Sequence, residues 1–436
     1  MTIQKYQSWE NPRCLIFKEI DRTHKMSADV CLICKGGRLL CGRPRCPILQ
    51  QLQKKVQLTQ KPKKEIFGKV PSIFVGWKNY PYVFNGPMIT DVTSEEELDL
   101  VLTNPSKWYG LTLEKIAELR FALIRGMTRI DARIGKKIQI SRLVQDLQDI
   151  AASTRAVEAE LTLKRSPKIQ ISYSAIAQPM GPAAPMKKFE MTENPKIPTR
   201  VDRLSESNVS AATAIGELYL GGADVYYLQN IFSAGILGRK RVRRIVPTRW
   251  SITSIDDILA KQIIDKIRDY PEIKDYLVFS NSYVGNNLVV LMIPREKWSY
   301  EQFEAWTGEG IWTRDITHPI IIQCSEGYQG RTKYAFEEGG GYYAIRFPIV
   351  EYLNKLKRQA TIIVFREITS DYYIPVGVWQ CRESVKRALK SSITFDTLED
   401  ALKEIKNHLN IPLKLWLRES KIYKKLKGQR RLLDFI

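Results

Sequence analysis

The chain has 436 residues, 44% hydrophobic and 26% charged, the balance of a folded globular protein rather than a disordered one. Its 68 lysines and arginines exceed its 47 aspartates and glutamates by a formal charge of +21, which favours polyanionic partners because each neutralised phosphate releases condensed counterions. No run of about 18 apolar residues marks a membrane span and the N-terminus lacks a signal-peptide layout, so the expected setting is the cytoplasm, nucleoid-associated, with thiols kept reduced.

After a polar stretch over residues 1–27 comes a cysteine cluster, Cys31-Leu-Ile-Cys34 followed by Cys41-Gly-Arg-Pro-Arg-Cys46. A C-x2-C turn lets two sulfurs reach one ion, and four thiolates complete a tetrahedron with no open position. The expected cofactor is therefore a structural Zn2+ on Cys31, Cys34, Cys41 and Cys46. An iron–sulfur cluster is the competing occupant, and Cys14 or His24 could replace one ligand.

A basic stretch at 54–69 leads into globular composition. Residues 70–86 read as strands and turns, broken at Gly76, Pro81 and Gly86. Ser94 to Glu97 forms a capping box and marks a helix start. Over 112–165 the apolar spacing, with Leu143, Leu147, Ile150, Val157 and Leu161, predicts two or three helices. Residues 176–198 carry prolines at 179, 182, 185, 195 and 198 and cannot be regular throughout. Helical patterns resume at 205–222 and 254–269. Beyond a composition shift near 275, residues 275–294 predict a β-hairpin turning at Gly285-Asn-Asn. Ser299 to Gln302 then predicts a helix start, 361–369 and 372–380 predict strands, and Thr397 to Asp400 opens another helix. The expected fold is α+β: a zinc module at 1–50, a larger mixed domain at 51–275, a smaller one at 276–412, and a flexible basic tail at 413–436.

The sequence closes on Gln429-Arg-Arg-Leu432-Leu-Asp-Phe435-Ile436. This resembles the clamp-interacting peptide of proteins that bind sliding clamps of the proliferating-cell-nuclear-antigen type. One turn of 3₁₀ helix eclipses residues three apart, so Leu432 and Phe435 would point into one apolar pocket with Ile436 beside them. Gln429 would hydrogen-bond at the rim. Ile436 departs from the commonest form, which has a second aromatic ring there.

With the cysteine cluster and the terminal peptide together, the chain resembles the archaeal Nre family of DNA-repair proteins over essentially its whole length. The likeness is carried by residues 31–47, Val83 to Met88, 238–253 and 372–383. It implies a DNA-damage role coupled to the sliding clamp, and it supplies no catalytic residues.

Arg239, Lys240, Arg241, Arg243, Arg244, Arg249 and Trp250 form a candidate DNA contact, since arginine forks bind phosphates and an indole can stack on a base. The bland alternatives are a solvated loop or ion pairs within the fold. Catalytic signals are faint. Gly339-Gly-Gly341 lacks the Lys-Ser/Thr of a nucleotide-binding loop, and the three histidines, 24, 318 and 408, have no metal-ligand spacing. Asp131, Asp146 and Asp149 are candidate magnesium carboxylates, whereas Asp202-Arg203 and Arg346 with Glu351 read as structural ion pairs. The expected function is a DNA-repair accessory protein with DNA and the clamp as partners. The alternatives are a metal-dependent nuclease targeted by the clamp and an RNA-binding protein.

Overall fold

The computed structural model describes residues 30–31, 34–36, 39–44, 46–50, 63–91, 102, 104–136, 140–168, 172–308, 312–313 and 319–428. The fold is α+β, with two sheets separated by helices. Strands β1 (Glu65–Val75), β2 (Tyr82–Thr90), β3 (Ile124–Asp131), β4 (Val157–Leu163) and β5 (Ala183–Met191) close a barrel in the order β1-β2-β3-β5-β4. In β1 the buried positions are Ile66 and Val70, then Ile73 and Val75. The change of parity falls at the register shift between Lys69 and Ser72, where a bulge turns the strand around the barrel.

Helices α1 (Leu113–Phe121) and α2 (Arg142–Ala152) lie between the barrel strands. The region 112–165 thus holds two helices, but β3 and β4 replace the rest of the predicted helical content. Val157 and Leu161 misled the reading because a spacing of four satisfies both periods. Val157, Ala159, Leu161 and Leu163 are all buried, which is the alternation of a strand.

Four helices follow: α3 (Thr199–Glu206), α4 (Ala211–Leu220), α5 (Val225–Ser233) and the 20-residue α6 (Thr248–Ile267). The second sheet contains β6 (Tyr276–Tyr283), β7 (Asn286–Ile293), β8 (Ser299–Trp306), β9 (Ile320–Glu326), β10 (Thr361–Ile368) and β11 (Ile393–Phe395), ordered β11-β6-β7-β10-β8-β9. The expected β6–β7 hairpin forms, but its turn is Val284-Gly285 rather than Gly285-Asn-Asn: Asn286 and Asn287 pair within β7, and the two turn residues take the positive φ that a two-residue loop requires.

Ser299 to Gln302 does not start a helix. It opens β8, which pairs parallel with β10 and antiparallel with β9 and is buried along nearly its whole length. Its polar residues, which suggested a cap, are satisfied from elsewhere in the fold: Glu301 by the tail, Gln302 by Glu338, and Glu304 by Lys35 and Arg366. The predicted strand at 372–380 is also corrected. Residues 372–378 are irregular, with Gly377 at positive φ, and helix α8 (Trp379–Ala388) begins at Trp379.

The inner face of this sheet packs with α6, α8 and α7 (Gly340–Leu356) into one core shared with the barrel. Its outer face carries a separate core under α9 (Leu398–His408), α10 (Leu413–Glu419) and α11 (Lys421–Gly428). Residues 413–428 of the expected tail are therefore helical and docked. The buried Glu301 carboxylate accepts hydrogen bonds from Ser420 Oγ and from the Lys421 amide at 2.8 Å, capping the N-terminus of α11. A negative group there also meets the positive end of the helix dipole. No helix among the described residues is long and apolar enough to cross a membrane.

Candidate functional site

The described part of the cysteine segment lies between the two sheets and helps to wall two adjoining clefts. Its turns use positive φ at Lys35, Gly36, Leu39 and Gly42, and the Lys35 amide donates to the Cys31 carbonyl at 2.8 Å. Gly36 is pressed against Leu49 and Trp312 so closely that a Cβ would stand 2.6 Å from Leu49 Cδ1. A side chain there would have to displace Leu49 and would sit at a φ of +66° that favours glycine.

The smaller cleft, about 40 Å³, is lined by Lys35, Trp306, Glu338, Arg366 and the three glycines 339–341 at the start of α7. Beside it the buried Glu304 carboxylate receives Lys35 Nζ, Arg366 Nη1 at 2.6 Å and Trp306 Nε1 at 3.0 Å. Burial alone would raise Glu304, but Lys35 and Arg366 hold it below the usual carboxylate range. Glu338 shifts in the opposite direction. Burial and the nearby Glu304 charge push it well above the usual range, and its oxygens accept from Gln302 and from the Cys324 amide at 2.9 Å.

The larger cleft, about 400 Å³, shares Ser174 and Arg249 with the first. The β1–β2 turn contributes Trp77 and Lys78, β1 and β2 contribute Phe74 and Phe84, and β3 contributes Arg125. The loop between β4 and β5 contributes Tyr173, held in place where Ser172 and Met180 exchange backbone hydrogen bonds at 2.9 Å. Part of the proline-rich segment is thus an ordered floor, and another part is strand β5. Arg249 lies 4.8 Å from the Trp77 ring centroid and Arg125 lies 4.6 Å from that of Phe74. Arg125 is buried, and its hydrogen bonds go to the Gly181 carbonyl and Met180 Sδ. Arg120 on α1 is similarly buried against backbone carbonyls. Burial pushes Arg125 down to about 10, and burial together with the Arg125 charge does the same to Arg120.

The structure divides the expected DNA-contact residues. Arg239, Lys240 and Arg241 are exposed, and Lys240 pairs with Glu206 at 2.6 Å. Arg243 is half-buried and donates to the carbonyls of Ser205 and Gly238, a structural role, and Arg244 is half-buried. Arg249 faces the cleft, and Trp250 packs on Tyr80 with centroids 4.9 Å apart. Among the described residues, no group of three or more His, Cys, Asp or Glu is gathered so as to hold a metal, and the four cysteines of the cluster are not drawn together. The donor chemistry and the turns fit a thiolate site; the sulfur geometry of one is not formed. None of these cysteines is in a disulfide.

Of the candidate carboxylates, Asp131 holds Arg133 and Asp146 pairs with Arg142. Burial, with the neighbouring Asp146 and Asp202, raises Asp149. Arg203 pairs with Glu217, and Arg346 with Glu326 and Asp257 rather than Glu351, which receives Tyr219. His408 meets Glu404 at 2.8 Å. Cys14, His24, His318, Ser94 to Glu97 and the terminal peptide Gln429, Leu432, Phe435 and Ile436 lie outside the described residues.

Sequence reading missed Phe74, Trp77, Phe84, Arg125 and Tyr173. The alternation of aromatic and basic residues between 74 and 84 was the available signal. Arg125 was hidden by the helical reading of its strand. The four stretches that carried the family resemblance are far apart in sequence, yet each supplies residues to these two clefts: Lys35, Phe84, Arg249 and Gln380 among them.

The family described as archaeal Nre matches in both its parts, the N-terminal model over residues 40–313 and the C-terminal model over 326–435. The chain belongs to the archaeal Nre family. Among its Nre relatives, DNA repair protein NreB of Archaeoglobus fulgidus is 34% identical over 93% of this chain and 100% of its own length. DNA repair protein NreA of the same organism is 34% identical over 85% of this chain and 92% of its own length. NreA of Haloferax volcanii is 32% identical over 79% and 83%. No solved structure matches this Nre chain.

Proposed function

We propose that this Nre protein is a DNA-repair accessory factor that binds DNA and docks on a sliding clamp through Gln429, Leu432, Phe435 and Ile436. The observation that carries the reading is the larger cleft, where arginines and aromatic rings meet on a surface reached by three of the four family-resembling stretches. Its relatives are named DNA repair proteins. The charge of +21 adds the long-range attraction that brings DNA to such a surface. DNA affinity should therefore fall linearly, on logarithmic axes, with salt concentration.

The clamp arm is tested by calorimetric titration of the full protein and its Phe435→Ala variant into the sliding clamp. Removing the aromatic anchor of a short peptide is expected to weaken binding by about 30-fold or more. Equal binding by both proteins would remove the clamp from the reading.

The same proposal places a structural zinc on Cys31, Cys34, Cys41 and Cys46, where it would tie the segment that walls both clefts. Protein purified without chelators is expected to release one equivalent of zinc to a colorimetric chelator. Cys31→Ser should lower that occupancy and loosen the segment to proteolysis. Iron in its place would assign the cluster to iron–sulfur chemistry, and no metal would end the proposal.

A further inference from the structure

The larger cleft has a composition that its structural role does not require. Three cations, Lys78, Arg125 and Arg249, line it together with aromatic rings, and no carboxylate does so among the described residues. Arg125 is only 6% exposed, and no described carboxylate forms an ion pair with it. Burying a guanidinium without a counter-ion is costly unless something negative arrives to complete it. The buried Arg346, Arg366 and Arg382 each face a buried carboxylate; Arg120, like Arg125, is held by backbone carbonyls instead, but of these two only Arg125 lines the larger cleft.

A second observation concerns the wall of the same cleft. The Tyr173 hydroxyl, on a side chain only 7% exposed, has no hydrogen-bond partner among the described residues although the cleft is beside it. Buried hydroxyls are nearly always satisfied, and an exception asks for a missing partner. The rings of Phe74 and Trp77 already carry cations against them, so an aromatic guest meets both a stacking surface and positive charge. About 400 Å³ is room for one nucleotide and too little for a duplex.

From Arg125 held without a carboxylate, the unsatisfied Tyr173 hydroxyl and the Phe74 and Trp77 rings, we infer that this cleft receives a single unstacked nucleotide. The base lies among the rings, and the phosphate lies toward Arg125 and Arg249. The inference rests on the DNA-binding reading and sharpens it: the protein holds DNA by a base taken out of the stack, which costs least where the strand is single or damaged. A free nucleoside monophosphate offers the same chemistry, so the test separates the two sources.

Full-length protein is titrated by fluorescence anisotropy with a labelled single-stranded oligonucleotide carrying one 5-iodouracil. It is then irradiated and the crosslinked peptide identified. Crosslinks to the peptide holding Phe74 and Trp77, or to that holding Tyr173, are expected. Trp77→Leu and Tyr173→Phe should weaken binding, the former by about tenfold to a hundredfold. Tyr173→Phe removes only the hydroxyl, and retention of the wild-type unfolding midpoint by both variants shows that the loss is local. Binding without crosslinks in the cleft and with unchanged variant affinities overturns this inference while leaving DNA binding intact. No binding to DNA by the wild type overturns the parent reading as well. Thymidine monophosphate bound as tightly as the oligonucleotide would assign the cleft to a free nucleotide and overturn the DNA source.

Discussion

Arg382→Ala is expected to lower the free energy of unfolding by about 3–5 kcal/mol, because it leaves a charged carboxylate buried alone. Arg382 on α8 donates to both oxygens of Asp256 on α6, through Nε at 3.1 Å and through Nη2, and neither side chain reaches solvent. The guanidinium also lies 5.0 Å from the Tyr226 ring centroid on α5, so one side chain binds three helices. Urea unfolding of the wild type, Arg382→Ala and the double variant Arg382→Met with Asp256→Leu measures the effect. The double variant should recover most of the loss, since removing both charges also removes their desolvation cost. If the single variant loses less than about 1 kcal/mol, the pair is not charged and buried as described.

Trp416→Ala is expected to cost about 3–5 kcal/mol by opening a cavity in the outer core. The indole meets Phe303 and Phe365 edge-on, with centroids 6.0 and 5.6 Å away, and its Nε1 donates to the Ile411 carbonyl at 3.3 Å. This core is separate from the one shared with the barrel. The damage should therefore appear first as faster hydrogen exchange in α9–α11, with amides of the barrel strands unchanged. Uniform acceleration across both sheets would show instead that the two cores unfold together. The helices at risk precede the segment proposed above to bind the clamp, so under that proposal the same variant should leave affinity for the clamp nearly intact.

The sites divide along similar lines. Arg249 was legible because it sits in a run of basic residues next to Trp250. Arg125 was not, because nothing in Ile124-Arg-Gly-Met marks an arginine that will lie buried beneath a cleft. Glu301 and Gln302 read as part of a helix start, whereas both, with Glu304, are buried and satisfied by groups distant in sequence: Ser420, Glu338 and Lys35. A polar residue's neighbours across the chain decide whether its burial is tolerable, and sequence spacing does not record them.

The sequence by itself determined the elements whose signals are local. Gly285 between two apolar runs marked the β6–β7 hairpin, though not the exact turn, and Thr397 capping the Asp400 amide opened α9. It also determined the α+β class and the family, through motifs that survive at fixed spacing. The tertiary structure decided the rest: that Ser299–Trp306 is a central strand, that Val157 and Leu161 lie on β4, and that α10 and α11 fold back onto the sheet. It also decided that segments near positions 35, 84, 125, 173 and 249 meet around one cleft. The physical reason is that a strand buried on both faces loses the alternation that would announce it, and a cleft is made by packing segments together rather than by the order in which they are joined.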